Sequence, residues 1–368
     1  MPDADVAVIG AGPAGAIAAG VLARAGRRVL LLDPGFAGIK PGDALPGAAG
    51  RLLRSCDLPV PGGAHRPVGG NISVWGGPEP VYRDFLAEPD GAGWRLDRRR
   101  FETGLIDTAV TAGAAFRPEA VRGAEREGAL WHVKLRTGGS LTARWLIDAT
   151  GRAALVARKL GARRRRDEDL VAVVAHARPD PAFTLERSVI EAVPRGWWYA
   201  ALQPDGAPVF MLHTTPADAS RLLADPTEWR AALAETRHIS QAFPSPEFDT
   251  PPSGFEACGA WLEPAHGDGW LACGDAALSF DPCAAQGIFS ALWGGMAAAE
   301  AVLAALDGDP AGLAAYAAQL TDIRRTYRAR VQMYYDQERR WPEEKFWRER
   351  RHNPHPPNAW APPPPAKR

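Results

Sequence analysis

Val6-Ala7-Val8-Ile9-Gly10-Ala11-Gly12-Pro13-Ala14-Gly15 opens the chain, and its spacing sets the fold. Val6 to Ile9 form an apolar run with the character of a buried strand. Gly10 permits a tight turn, Gly12 lets backbone approach a pyrophosphate, and Gly15 lets the next helix pack closely on a sheet. Pro13 and Ala14 begin that helix, whose N–H groups and positive dipole end suit phosphate. The helix is predicted from Pro13 to Ala25, stopping at Gly26, ahead of a second strand over Val29–Leu32. Asp33 closes that strand at roughly the twenty-residue offset of a carboxylate that grips a ribose. A close-packed βαβ unit without ligand would use the same glycines. Strand, helix, strand and acid in register favour a nucleotide site.

Nucleotide chemistry returns late, in Gly269-Trp270-Leu271-Ala272-Cys273-Gly274-Asp275, followed by Asp281-Pro282 and Gln286-Gly287-Ile288. Between the two lies Asp148-Ala149-Thr150-Gly151-Arg152, which ends a pair of predicted strands, Trp131–Leu135 and Ser140–Ile147, joined through Thr137-Gly138-Gly139. A helix is predicted over Arg98–Ala114, and a short strand piece around Asn71–Trp75 in the Gly- and Pro-rich stretch from Pro34 to Gly93. From Leu170 the pattern changes. Val171–Ala177, Ser188–Val193, Trp197–Leu202 and Pro208–His213 alternate as antiparallel strands, with Pro204-Asp205-Gly206 as a hairpin turn. Helices are expected over Thr227–Ile239, Gly287–Leu306 and Leu313 to about Arg339.

The expected fold is therefore α/β. A Rossmann-like domain (1–165 and 263–310, with excursions around 40–95) carries an inserted, mainly antiparallel sheet domain (166–262). Helices follow at 311–351, and the Pro-rich tail 352–368 is expected to be disordered or polyproline-like. Composition limits the function. With 43 Lys and Arg against 43 Asp and Glu, net charge is zero, and no electrostatic footprint for nucleic acid exists. Neither a leader nor an apolar run of about 18 residues is read, so a cytoplasmic protein without a membrane span is expected. The four cysteines have no metal-ligand spacing, so no metal site is expected. Arg163–Arg166, followed by Asp167-Glu168-Asp169, reads as a solvated loop.

These segments resemble the flavin-dependent monooxygenase and halogenase superfamily with the p-hydroxybenzoate hydroxylase-like fold, over roughly Met1 to Arg351. The resemblance implies FAD. Gly10, Gly12, Pro13, Ala14, Gly15 and Asp33 would hold its adenosine end. Asp148, Gly151 and Arg152 would belong to a middle motif that closes on the cofactor. Gly274 and Asp275 would bind its ribitol or ribose, Pro282 would lie beside the isoalloxazine, and Gln286-Gly287-Ile288 would start a helix aimed at the flavin pyrimidine. A positive helix end there would stabilise reduced flavin. Arg152 or Arg51 could also meet phosphates, or pair with local carboxylates.

Similarity is closer to the subgroup called LodB-like or GoxB-like flavoproteins, which assist cysteine tryptophylquinone formation by oxygenating a tryptophan of a partner amine oxidase. It rests on Gly42-Asp43-Ala44-Leu45-Pro46, Ser73-Val74-Trp75-Gly76, Gly93-Trp94-Arg95-Leu96-Asp97-Arg98, Gly196-Trp197-Trp198-Tyr199-Ala200 and Arg340-Trp341-Pro342 with Phe346-Trp347. Asp43 stands where the subgroup usually has Glu, and Cys283-Ala284-Ala285 is also a departure.

The resemblance implies oxygen transfer through a flavin C4a-hydroperoxide to an electron-rich, indole-type ring, free or carried in a partner protein or peptide. A halogenase would need a lysine facing its substrate, and none lies between Lys40 and Lys134. The halogenase Trp-x-Trp-x-Ile-Pro signature is missing too. Asp43, Trp198 and His213 are the candidate catalytic residues, with Trp75 as a further lining residue. For Trp198 and His213 the alternative is core packing, and for Cys283 a flavin link competes with a plain apolar filler. No second dinucleotide fingerprint appears, so electrons would come from transient NAD(P)H docking or a partner flavin reductase. Three other readings compete with the oxygenase. They are a halogenase, a reductase of the geranylgeranyl type, and a non-catalytic assembly factor that holds a client through Arg339–Arg351.

Overall fold

The computed structural model describes residues 1–35, 38 and 40–351. Two compact units share the chain. The first comprises Met1–Pro67, Pro89–Glu168 and Cys258–Ala317; the second Val68–Glu88, Asp169–Ala257 and the chain from Ala318. The tail expected to be polyproline-like lies outside the described residues.

The first unit is built on parallel strands in the order Trp270–Ala272, Ser140–Asp148, Ala4–Ile9, Val29–Leu32 and Ala115–Arg117. Val6 stands opposite both Trp145 and Val29, and Asp148 opposite Ile9 and Ala272. Such strands are covered on both faces, so they read as unbroken apolar runs. The first helix, Pro13–Arg24, begins on a proline and carries mainly small apolar residues. It packs through Ala16 and Ile17 against Phe101 and Leu105 of the Arg98–Thr111 helix and Leu292 of the Gly287–Leu306 helix.

The Gly287–Leu306 helix is long and apolar enough to cross a membrane by length and composition. This corrects the reading that no such run exists. Half of its most apolar stretch is buried inside the protein. A Cβ on Gly295 would stand 2.1 Å from the Ala14 carbonyl oxygen, so this helix lies directly on the first. Its apolar character has an internal partner.

Arg163–Arg166, expected as a loop, is a strand paired antiparallel to Ala260–Glu263. Arg165 meets Glu263 at 3.1 Å and Arg164 donates to Ser279 at 3.3 Å, so cross-strand partners offset the charge repulsion that argued against a strand.

The second unit holds a seven-stranded sheet. Its order is Ser253–Glu256, Val171–His176, Pro208–Thr214, Gly196–Leu202, Ser188–Val193, Gly70–Val74 and Val81–Asp84. All neighbours are antiparallel except Gly70–Val74, which runs parallel to Ser188–Val193. One face carries Val173, Trp198, Ala200, Phe210 and Leu212, packed with Leu222, Trp229, Leu233 and Ile239 of three short helices.

The single helix expected over Thr227–Ile239 is two, Pro226–Ala234 and His238–Ala242. The break has a cause. The buried Glu191 carboxylate accepts hydrogen bonds from the backbone N–H groups of Arg237, His238 and Ile239, at 2.8 to 3.0 Å, and starts a new helix there. The Pro216–Ala224 helix was not anticipated, although Thr215 caps it by accepting from the Asp218 N–H at 3.2 Å.

Candidate functional site

The first unit forms the nucleotide cradle. A Cβ on Gly15 would lie 1.8 Å from the Gly10 carbonyl oxygen, which only a glycine tolerates. Gly12 is the opposite case, because nothing stands within 4 Å of its Cβ position. The backbone beside Gly12 is open where a pyrophosphate needs to approach. No side chain caps the Pro13–Arg24 helix, and no carboxylate sits in its first turn to compete for the dipole. Asp33 accepts from the Ala11 N–H at 2.7 Å and the Gly35 N–H at 2.7 Å, fixing the turn beside the open backbone. These residues fit the phosphate and ribose of a dinucleotide.

Asp148 has a different place from the one expected. It is buried, and one oxygen accepts from the Thr150 N–H at 3.0 Å and hydroxyl at 2.7 Å. The other accepts from Val156 and Ala157 N–H at 2.9 and 2.8 Å. The carboxylate anchors the start of the Leu155–Lys159 helix and the turn that precedes it.

Arg152 donates to the Cys258 carbonyl at 2.6 Å and the Phe280 carbonyl at 3.0 Å, and faces Asp275 at 3.4 Å. It thereby joins the middle motif to the late one. Arg51 instead pairs with Asp90 at 2.5 Å.

Gly274 leads the Gly274–Ala276 turn, and Asp281 accepts from Cys283 N–H at 2.8 Å to cap the Pro282–Ala284 turn. Gln286 then occupies the cap position of the Gly287–Leu306 helix without a side-chain cap bond, and Gly287 faces open space. Ile288 is buried in the core with Ala16 and Ile17. Desolvation and the neighbouring Asp281 push the half-buried Cys283 thiol up, which favours the protonated form. Among the described residues no cluster of metal ligands occurs.

Asp43, also in the first unit, is buried and lies 3.4 Å from the guanidinium of the fully buried Arg95. Arg98 donates to the Gly42 carbonyl and pairs with Glu102, which in turn holds Lys40. The loop before the Ala44-Leu45 strand is thus tied by charge to the Arg98–Thr111 helix.

In the second unit, strand alternation separates two neighbouring tryptophans. Trp198 belongs to the helix-covered core, 5.5 Å from Trp229, so core packing replaces the substrate-lining role considered for it. Trp197 points to the other face. It stacks on His213 at 3.7 Å between ring centroids and 11° between planes, and these residues stand opposite each other in the ladder.

Trp75 packs edge-on against Trp197 at 6.1 Å and Trp347 at 5.2 Å, and lies 5.9 Å from Tyr335. Every indole N–H of this set is used. Trp75 donates to the Tyr334 carbonyl at 2.7 Å, Trp197 to the Tyr335 hydroxyl at 3.3 Å, and Trp347 to the Val193 carbonyl at 2.9 Å.

His213, a candidate to line the substrate pocket, is buried in its own unit instead. Its burial, with Arg350 nearby, lowers its pKa to about 3, against a hydrogen bond to the Trp197 backbone that raises it. The buried imidazole is held neutral and stacks on Trp197.

Sequence reasoning missed Tyr335, Glu338, Arg340 and Arg350. Glu338 is fully buried and accepts from the Gly76 N–H at 2.8 Å and from Arg340 at 2.6 Å. Arg340 also reaches the Val74 carbonyl at 3.5 Å. Together they clamp the Trp75-Gly76 turn. The Arg340-Trp341-Pro342 segment was noted, yet nothing in its spacing points to residues 74–76.

Comparison with known proteins agrees with this geometry. The tryptophan halogenase family model matches residues 86–361, and an FAD-binding domain model matches residues 3–35. The chain belongs to this family of flavin-dependent halogenases and monooxygenases, and is an FAD-dependent oxidoreductase. Among curated relatives it is similar to LodB of Marinomonas mediterranea, described as an FAD-dependent oxidoreductase, with 30% identity over 96% of this chain and 98% of LodB. Its fold matches CmlS, a flavin-dependent halogenase, with TM-score 0.83 and 22% identity over 95% of this chain and 68% of CmlS. It also matches QhpG, a peptidyl tryptophan dihydroxylase essential for tryptophylquinone cofactor biogenesis, with TM-score 0.79 and 24% identity over 98% of this chain and 80% of QhpG.

Proposed function

We propose that this protein is an FAD-dependent oxygenase that hydroxylates a tryptophan held in a polypeptide. The observation that carries this over halogenation is the disposition of its lysines. Lys40 is tied to Glu102, Lys134 pairs with Glu125 at 2.5 Å, Lys159 donates to the Arg122 carbonyl, and Lys345 lies 3.8 Å from Glu349. Among the described residues none lies on the seven-stranded sheet or in the Gly42–Gly93 stretch where a halide-transferring lysine would fall. The likeness to the fold of QhpG, a peptidyl tryptophan dihydroxylase, supports a peptidyl substrate.

FAD, when bound, supplies the electrons and the activation of dioxygen. The chain itself binds, orients and excludes water. Open backbone at Gly12 and the uncapped Pro13–Arg24 helix receive phosphate, while the N-terminus of the Gly287–Leu306 helix offers a positive dipole end for negative charge on the ring system. Half-buried Trp75, backed by the buried Trp197–His213 stack, offers a preorganised aromatic surface for an indole. Electrons would reach the cofactor from NAD(P)H or a partner flavin reductase.

The test supplies FAD, NADH and a flavin reductase together with a tryptophan-containing peptide, and reads peptide mass. Addition of oxygen to the indole is expected. Dioxygen consumption that yields only hydrogen peroxide with every indole offered, free or peptidyl, would overturn the proposal.

A further inference from the structure

Resting on the reading of a peptidyl substrate, we propose that the Val81–Asp84 edge strand and the groove at its Trp75 end form a docking surface for an extended, acidic segment of the client polypeptide. Among the described residues Val81–Asp84 ends the seven-stranded sheet, paired only with Gly70–Val74. The Phe85 N–H bonds the Gly69 carbonyl at 2.7 Å. By antiparallel alternation, Arg83 and Val81 then also bond inward, and the N–H and C=O groups of Tyr82 and Asp84 face the open edge. An uncovered edge of this kind is a template for an added strand.

Exposed apolar side chains flank this edge. Of the six large hydrophobic residues exposed among the described residues, three lie here: Val81 at 63%, Tyr82 at 66% and Leu86 at 70%. The charges of the edge are already matched locally, Arg83 with Glu88 at 2.7 Å and Asp84 with Arg187 at 3.5 Å. What the edge offers a partner is backbone and apolar surface.

Val81 stands opposite Ser73, two residues before Trp75, so a strand added here leads toward the Trp75-Gly76 turn. An open groove of about 820 Å³ lies there, lined by Trp75, Gly76, Arg328, Met333, Asp336 and Arg339 among others. Its lining holds Arg339 and the largely buried Arg328, which is already engaged, against the Asp336 carboxylate, and exposed Arg330 lies on the Ala311–Gln337 helix that forms one wall. Acidic side chains on the incoming segment complement that charge. Met333, half-exposed, adds an adaptable apolar contact. Trp75 lines the groove and packs on the buried Trp197, so a docked segment would lie beside the exposed part of the Trp75 ring.

The experiment measures fluorescence anisotropy of two labelled peptides with the FAD-loaded protein. One alternates threonine and glutamate and ends in tryptophan; the other has lysine for glutamate. The glutamate peptide is expected to bind about tenfold more tightly or better. Tyr82→Pro removes an outward backbone donor at an edge position that proline tolerates, and should weaken binding about tenfold. Tyr82→Val keeps that donor and should stay within about threefold. Arg339→Glu should reverse the peptide preference. Flavin content and melting temperature establish that each variant is folded.

Equal binding of both peptides, or unchanged binding by folded Tyr82→Pro, would overturn the proposal. So would a dimer that dissociates in Tyr82→Pro, which would make the edge a contact between copies of this chain. Binding is read without turnover. Edge-dependent binding with no oxygenation would therefore refute the oxygenase alone, whereas oxygenation by Tyr82→Pro at unchanged KM would refute the docking surface alone.

Discussion

The nucleotide cradle and the aromatic face of the sheet are built by opposite means. The cradle is made of backbone: Gly15 is pressed against the Gly10 carbonyl, Gly12 is left open, and Asp148 and Asp33 hold N–H groups of nearby turns. The aromatic face is made of side chains drawn from Trp75, Trp197, His213, Tyr335 and Trp347, with Glu338 and Arg340 as the clamp. A backbone cradle tolerates almost no change at its glycines but needs few residues. A side-chain face accepts graded change.

The largest effect should follow from breaking the cradle. Gly15→Leu places a side chain where 1.8 Å separates the Cβ position from a carbonyl oxygen, and the purified variant should carry no flavin by absorbance. Stoichiometric flavin in that variant would remove the distinction drawn above. Next, Trp198→Ala should cost about 3–5 kcal/mol in denaturant unfolding, because it empties the helix-covered core next to Trp229. Trp197→Phe keeps much of its stack on His213 and should cost about 1–2 kcal/mol, yet change KM for the peptide.

His213 sharpens the contrast through pH. Its folded pKa of about 3 lies below the ordinary 6.5, so the unfolded chain takes up a proton that the folded chain refuses. Stability is then unaffected above about pH 6.5 and falls as pH drops towards 3, by up to roughly 4 kcal/mol. Urea titrations between pH 7 and 4 should show this slope, and His213→Phe should flatten it. Glu338 behaves similarly at lower pH. Its hydrogen bonds to Arg340 and Gly76 hold its carboxyl below the usual range against the effect of burial, so its stabilisation is complete above pH 4.5 and lost as pH falls through the lowered value. Glu338→Gln should cost about 2–3 kcal/mol and loosen the Trp75 turn. Trp75→Phe comes last, at about 1 kcal/mol from one lost hydrogen bond, measured as a shift in urea midpoint.

The cradle was legible in the chain because its logic is local. Gly10 to Gly15, the Val29–Leu32 strand and Asp33 lie within one βαβ unit. The aromatic face was legible only in part. Strand periodicity could say that Trp197 and Trp198 part company, but not which face the helices cover, since that depends on the unanticipated Pro216–Ala224 helix and on Glu191 starting another at His238. Tyr335 and Glu338 reach Trp75 across some 260 residues of chain, a juxtaposition that no local pattern carries. The Arg339–Arg351 segment looked like a client-binding arm. Phe346 and Trp347 are buried in their own unit instead, with Arg350 3.7 Å over the Phe346 ring.

The most direct test of the central claim is a single turnover of the FAD-loaded, reduced protein with ¹⁸O₂, a tryptophan-containing peptide and saturating chloride and bromide, read by mass spectrometry. The account predicts ¹⁸O in the indole and no halogen at any halide concentration. A chlorinated or brominated indole would contradict it and assign the chemistry to a halogenase.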